Sequence, residues 1–275
     1  MANGLTNGDF VMTTPQLVRS GGKTAKAAKS AIFSTLAFAA VVTGLVAGPA
    51  ATANAADDSC ANVEVVFARG TFEGPGVGAT GQAFVDALSA RLPNTTIDTY
   101  GVNYPASLDF GQAVDGVADA SNRIQTIANQ CPSTKIVLGG YSQGAAVAGY
   151  TTSSVVPAGV ALPAGLTGPM PASVASHVSA VALFGTPDPW FLGLADRSAP
   201  PITIGDLYAA KTAQFCAAGD PVCFPGGLDR SAHSSYKSNG MTDQAADFVV
   251  GKLGIPAVAP GGTVVQAAAD VAPAN

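Results

Sequence analysis

The chain of 275 residues is short of charge: Asp, Glu, Lys and Arg make up 11% of it, against 48% hydrophobic residues. That balance excludes a disordered chain, which combines high charge with little apolar content. Basic residues are scarcest, 13 against 18 acidic for a net charge of −5, and the pI is about 4.8. A nucleic-acid binder needs a basic surface to neutralise phosphates, so that class is excluded. There are only two His and four Cys. No Cys-x-x-Cys pair or His cluster accompanies them, so a structural zinc site has no ligand set. The lack of an Arg-Arg pair argues against twin-arginine export. No repeat of 20–50 residues is present, which excludes solenoids and propellers. The 32 Gly and 19 Pro follow no three-residue period, so the chain is not collagen-like.

What is present begins with a segment unlike the rest. Lys23, Lys26 and Lys29 precede the uncharged apolar run Ala31–Val46, followed by Gly48, Pro49 and Ala53-Asn54-Ala55. A positive region, an apolar stretch and small residues at −3 and −1 are what signal peptidase reads. The run is at the lower limit for spanning a bilayer and is rich in Ala and Thr rather than Leu, which favours cleavage over anchoring. Residues 1–55 are therefore expected to be a signal peptide, 56–254 the folded domain and 255–275 an Ala/Pro-rich flexible tail. Removing 1–55 leaves 9 basic and 17 acidic residues, a net charge of about −8. Cys60, Cys131, Cys216 and Cys223 all lie in the mature part. An even count in an exported chain points to two disulfides with three possible pairings, of which the local one, 60–131 and 216–223, is favoured.

Apolar patterning predicts strands at Val63–Ala68, Thr96–Tyr104, Lys135–Gly139, Val178–Phe184 and Thr212–Ala217. Helical faces recur between them: Phe84, Ala87, Leu88 and Leu92; then Val114, Val117, Ser121, Ile124 and Ala128; then the small-residue run Gln143–Thr151. A last helix carries Ala245, Phe248, Val249 and Leu253, and a Pro/Gly-rich loop spans Pro157–Pro171. Alternating strands and helices mean a mostly parallel sheet covered on both faces, an α/β class with three layers. Sites in such sheets lie at the carboxyl ends of the strands.

One such end reads Gly140-Tyr141-Ser142-Gln143-Gly144, a G-x-S-x-G bend between strand and helix. The flanking glycines permit the tight turn, and the Ser hydroxyl is pushed out above the sheet at a helix N-terminus. A serine nucleophile needs a base. His233 lies late, in the loop Leu228–Tyr236 before the last helix, whereas His177 opens a strand. In this fold the acid falls between Ser and His along the chain. Asp220 follows the strand Thr212–Ala217 and is enclosed by Cys216 and Cys223. Asp206 precedes that strand, and Asp229 is too near His233 to come from a separate strand end. For the oxyanion, the Gln143 N–H supplies one donor and Thr71, in the turn Arg69-Gly70-Thr71 after the first strand, the other.

Val66-Phe67-Ala68-Arg69-Gly70-Thr71, Gly139-Gly140-Tyr141-Ser142-Gln143-Gly144-Ala145 and Cys216-Ala217-Ala218-Gly219-Asp220-Pro221-Val222-Cys223, followed by His233, resemble the cutinase family. The likeness is closest to the cutinase-like carboxylesterases of mycolate-containing actinobacteria, and it covers about 60–253. It implies an α/β-hydrolase with a five-stranded central sheet, no lid domain, and disulfides paired locally. It implies Ser142, Asp220 and His233 as a triad, with Thr71 and Gln143 as oxyanion donors. Thr71 stands where fungal members have Ser, and the 157–171 stretch and C-terminal tail depart from the compact fungal form. The resulting expectation is a secreted serine ester hydrolase, extracellular or wall-associated, that acts on an acyl ester as a monomer without metal or cofactor. No nucleic acid partner and no integral membrane segment after cleavage are expected. Trp190-Phe191-Leu192-Gly193-Leu194, read as a loop, together with Phe224 and Leu228 offers a groove for an acyl chain. Two rivals remain, an acetylxylan esterase and a catalytically idle cell-surface binding protein.

Overall fold

All six residues of β1, Val63–Ala68, are buried in the computed structural model, which describes residues 60–157, 160–258 and 264–265. A strand covered on both faces belongs inside a sheet, and β1 lies between β2 (Ile97–Gly101) and β3 (Lys135–Tyr141). β4 (Val178–Phe184) and β5 (Thr212–Phe215) extend the sheet to the order β2-β1-β3-β4-β5. Every neighbouring pair in it is parallel.

Side chains alternate across this sheet and so build two cores. Val63, Val65 and Phe67 pack with Phe84 and Leu88 of α1 (Gly78–Arg91) and with Val249 and Leu253 of α7 (Met241–Leu253). On the other face, Val66 and Ala68 pack with Ile124 of α2 (Ala113–Gln130) and Val147 of α3 (Gln143–Thr151). Glu64 shares that second face and is 2% exposed. Its carboxylate meets Arg123 of α2 at 2.5 Å. Burial pushes the Glu64 carboxyl up, and Arg123 only partly offsets this.

The chain leaves β1 toward β2 on one side and returns to β3 on the other. The carboxyl ends of β1 and β3 therefore flank a topological switch point, where open α/β sheets hold their ligands. Two predicted strands are shorter than expected. β2 ends at Gly101 because the chain turns inward there: Val102 donates to the Phe67 carbonyl at 3.0 Å, and Tyr104 enters the core. β5 stops at Phe215, where the Cys216–Cys223 disulfide begins. The stretch read as a loop at Trp190–Leu194 is instead helical, α4 (Pro189–Ala195). Asp188 caps it by accepting from the Phe191 N–H at 2.7 Å, and Pro189 occupies the first turn, where its missing N–H costs nothing. Short turns α5 (Asp206–Ala209) and α6 (Arg230–His233) lie in the later connections.

Cys60–Cys131 joins the entry to β1 with the end of α2, and Cys216–Cys223 closes a short loop after β5. The expected export segment 1–55 lies outside the described residues, as does most of 255–275. Within the latter, Ala257–Val258 pairs antiparallel with Val264–Val265. No described helix is long and apolar enough to cross a membrane.

Candidate active site

Ser142 sits between β3 and α3 with φ 55° and ψ −119°. An L-residue holds such a conformation only where its surroundings force it. The flanking glycines explain how the turn closes. A Cβ on Gly140 would lie 2.1 Å from the Gly144 carbonyl oxygen, and one on Gly144 would lie 2.0 Å from that of Ala68. The Ser142 N–H donates to the Phe184 carbonyl at 2.9 Å, which ties the bend to the end of β4.

His233 ends α6, held over the bend by Tyr141, whose hydroxyl donates to the His233 carbonyl at 2.7 Å. Its Nε2 is 2.9 Å from Ser142 Oγ, and its Nδ1 is 2.9 Å from both oxygens of Asp220. Asp220 is fully buried. Burial pushes its carboxyl up, but hydrogen bonds from His233, from the Tyr236 hydroxyl at 2.5 Å and from the Val222 N–H at 2.8 Å outweigh this and hold it below the ordinary value. The carboxylate is thus charged and can only accept, so the proton of the neutral imidazole lies on Nδ1. That leaves Nε2 bare toward the Ser142 hydroxyl.

His177, Asp188, Asp206 and Asp229 stand elsewhere. The His177 carbonyl accepts from Ile136 at the amino end of β3, the opposite end of the sheet from Ser142. Asp188 caps α4, Asp206 opens α5, and Asp229 accepts from Ser231.

Gln143 opens α3, so its N–H is among those at a helix start without an intrahelical acceptor. Its side chain is pinned on both sides: Thr71 Oγ1 donates to Oε1 at 3.4 Å, and Nε2 donates to the Ser107 carbonyl at 3.0 Å. Arg69, only 5% exposed, holds the turn that carries Thr71. It donates to the carbonyls of Glu73 at 2.8 Å, Val102 at 3.2 Å and Tyr104 at 2.6 Å, and its guanidinium lies 5.1 Å from the Tyr104 ring centre. The Glu73 carboxylate accepts from the N–H groups of Gly70 and Ala79, both at 2.7 Å.

Arg69, Glu73, Tyr141 and Tyr236 shape this site, and sequence reasoning assigned them no part in it. Tyr141 lies inside the G-x-S-x-G stretch and Tyr236 closes the His233 loop, so position alone was their signal. Above Ser142 opens a cleft of about 400 Å³, lined by Thr71, Phe72, Leu108, Phe191 and His233 among others. Of the residues expected to form a groove, Phe191 and Leu192 face the cleft. Trp190, Leu194, Phe224 and Leu228 are exposed, Leu228 at 91%.

An all-parallel sheet between helical layers, with a serine on a strained strand-to-helix bend at the switch point, defines an α/β-hydrolase, here with no separate lid domain among the described residues. The family model described as Cutinase matches residues 59–253, and the chain belongs to that family. It is similar to carboxylesterase Culp1 of Mycobacterium tuberculosis, 44% identical over 215 residues that cover 78% of this chain and 92% of the relative. Phospholipase Culp4 of the same organism is 45% identical over 203 residues, 74% of this chain and 84% of the relative. Among solved structures it resembles the Trichoderma reesei cutinase in complex with a C11Y4 phosphonate inhibitor, with TM-score 0.51 and 34% identity over 70% of this chain and 77% of that one. It also resembles an acetylxylan esterase, with TM-score 0.57 and 26% identity over 71% of this chain and all of that one.

Proposed function

We propose that the chain is an exported serine carboxylic-ester hydrolase in which Ser142, His233 and Asp220 act as a triad. The observation that carries this reading is the hydrogen-bonded line from Ser142 Oγ through His233 to the buried Asp220 carboxylate. His233 Nε2 takes the Ser142 proton as Oγ attacks the ester carbonyl carbon. The N–H groups of Thr71 and Gln143 hold the resulting oxyanion, and the positive end of α3 adds to the effect. The imidazolium then gives its proton to the leaving alcohol. Water, activated by the same imidazole, hydrolyses the acyl-enzyme and restores Ser142.

The apolar cleft supports an acyl ester as substrate, in keeping with relatives named carboxylesterase and phospholipase. The exposed Phe72, Leu108, Trp190 and Leu194 suit a lipid or polyester surface. Two disulfides suit an oxidising compartment outside the cell. The likeness to an acetylxylan esterase supports a second reading, hydrolysis of acetyl groups alone. A p-nitrophenyl ester series on the mature protein separates them. Turnover of butyrate to decanoate is the expected result. Cleavage of acetate only would favour the second reading, and no turnover would leave a binding protein.

A further inference from the structure

Two valines on the apolar face of α2 are incompletely covered, although Val117 packs against the core. Val114 and Val117 belong to the apolar stripe that continues through Ser121, Ile124 and Ala128, yet only the last three are buried. Val114 and Val117 remain half-exposed. They face a cavity of about 630 Å³ between α2, the end of α3 and the segment that follows it. That segment supplies Val155, Leu162, Leu166 and Met170 as the opposite wall.

The cavity adjoins the catalytic cleft. Phe110, Ala113, Tyr150, Asp196 and Ala199 line both spaces. Tyr150 forms the shared wall, its ring fixed by a hydrogen bond from its hydroxyl to the Pro200 carbonyl at 2.5 Å. The Asp196 carboxylate at the junction is occupied by Ser198, accepting from its N–H at 2.8 Å and its hydroxyl at 2.6 Å. The lining is mostly apolar, with Ser121, Thr151 and Ser153 among its few polar members, so the space suits a mostly apolar occupant. Because it adjoins the cleft, the molecule held at Ser142 is the nearest source of such an occupant.

We infer that this cavity receives the distal methylenes of a long acyl chain whose carbonyl is held at Ser142, which makes long-chain acyl esters the substrate class. The inference rests on the ester-hydrolase reading above. A methylene fills roughly 30 Å³, about the share of one water in the liquid. On that scale the volume of the cleft corresponds to about a dozen carbons, and the remainder of a longer chain passes Tyr150 into the cavity. Val114 and Val117 then serve as chain contacts, Val117 while also packing against the core.

Two measurements test this on the mature protein. The first is kcat/KM on p-nitrophenyl butyrate and palmitate for wild type, Val117→Trp and Val114→Phe; the second is palmitate binding to the Ser142→Ala protein by calorimetry, with and without Val117→Trp. Each buried methylene changes affinity by about fourfold, so filling the cavity should lower the palmitate-to-butyrate ratio at least tenfold and weaken palmitate binding as much. The ratio cancels general losses of competence, and Val114→Phe replaces Val117→Trp if the latter does not fold. An unchanged ratio and unchanged binding in a folded variant would overturn the inference. So would butyrate turnover by a wild type that neither cleaves nor binds palmitate, which leaves the esterase reading intact. Palmitate binding that Val117→Trp abolishes, in a protein that cleaves no ester, would support the cavity and reject the esterase.

Discussion

The Tyr236 hydroxyl donates to Asp220 Oδ2 at 2.5 Å while accepting the Ala217 N–H at 3.0 Å. One phenol thereby fixes the carboxylate to the end of its own strand connection. Burial pushes the Tyr236 phenol well up, and the Asp220 charge adds to this, so it stays a donor throughout the working range. Tyr236→Phe removes both bonds. At pH 7 it should cost about 1.5–3 kcal/mol, the usual loss for a hydrogen bond to a charged group. The pH dependence identifies the cause. Asp220 is held below its ordinary value, so its stabilisation is present above the unfolded value of about 3.9 and is lost as pH falls through the folded one. The melting deficit of the variant should therefore be large at pH 7 and shrink below about pH 4. An equal deficit at both would mean that Tyr236 supports the fold without acting on the Asp220 charge.

Ser142 carries backbone strain that its replacement can reveal. At φ 55° a Cβ is unfavourable, at a cost of about 1–3 kcal/mol. Ser142→Ala and Ser142→Gly both lack the hydroxyl proposed as nucleophile, so both should lose turnover by about 10⁵–10⁶. They differ in that only the glycine relieves the strain, offset in part by its freer unfolded chain. Ser142→Gly should melt above Ser142→Ala by about 2–4 °C, the shift for about 1 kcal/mol in a domain of this size. A glycine variant that melts below the alanine variant, by what its freer unfolded chain costs, would show the bend to be unstrained.

The residues that meet at the site were legible one by one because each has a local signature. Ser142 lies in G-x-S-x-G between a strand and a small-residue helix, Asp220 between two cysteines, and His233 in the loop before the last helix. The structure brings these three into contact. Arg69 and Tyr236 were not legible, because what they do depends on partners at 102 and 104, and at 217 and 220, which only the folded sheet brings near. The helix α4 did have a signal, Asp188 followed by Pro189, but its run of apolar residues was read as a groove wall. Val114 and Val117 mark a different limit. Periodicity shows that a helix has an apolar face, not whether protein covers it.

Arg69 should matter to turnover through the turn that carries Thr71. Its planar guanidinium reaches three carbonyls in different directions, which a lysine ammonium cannot reproduce. Arg69→Lys leaves buried carbonyls unpaired and should cost about 2–4 kcal/mol. If the Thr71 N–H faces the oxyanion, a loosened turn acts on the transition state more than on the bound ester. The expected pattern on a butyrate ester is kcat reduced about tenfold with KM near that of wild type. A folded variant with wild-type kcat would separate Thr71 from the chemistry.

The two disulfides should divide between stability and turnover. Cys60–Cys131 spans 71 positions and Cys216–Cys223 spans 7. Closing loops of those lengths in the unfolded chain corresponds to about 4.4 and about 2.5 kcal/mol respectively. The long loop should therefore dominate stability. The short one encloses Asp220 together with Val222, whose N–H donates to Asp220 Oδ1 at 2.8 Å, and Cys223 Sγ lies 3.3 Å from the Tyr236 hydroxyl that holds Oδ2. Opening it loosens the supports of the carboxylate on both oxygens. A carboxylate free to turn no longer fixes the Nδ1 proton of His233, and an imidazole in the wrong tautomer cannot accept from Ser142. Cys216→Ser with Cys223→Ser should therefore lower kcat by more than its melting temperature suggests, whereas Cys60→Ser with Cys131→Ser should lower the melting temperature more and leave kcat close to wild type. The comparison must be made where every variant is folded, with the melting curves run under the assay conditions. Equal kcat in the 216/223 double variant and wild type would mean that Tyr236 and the Val222 N–H orient Asp220 without help from the disulfide.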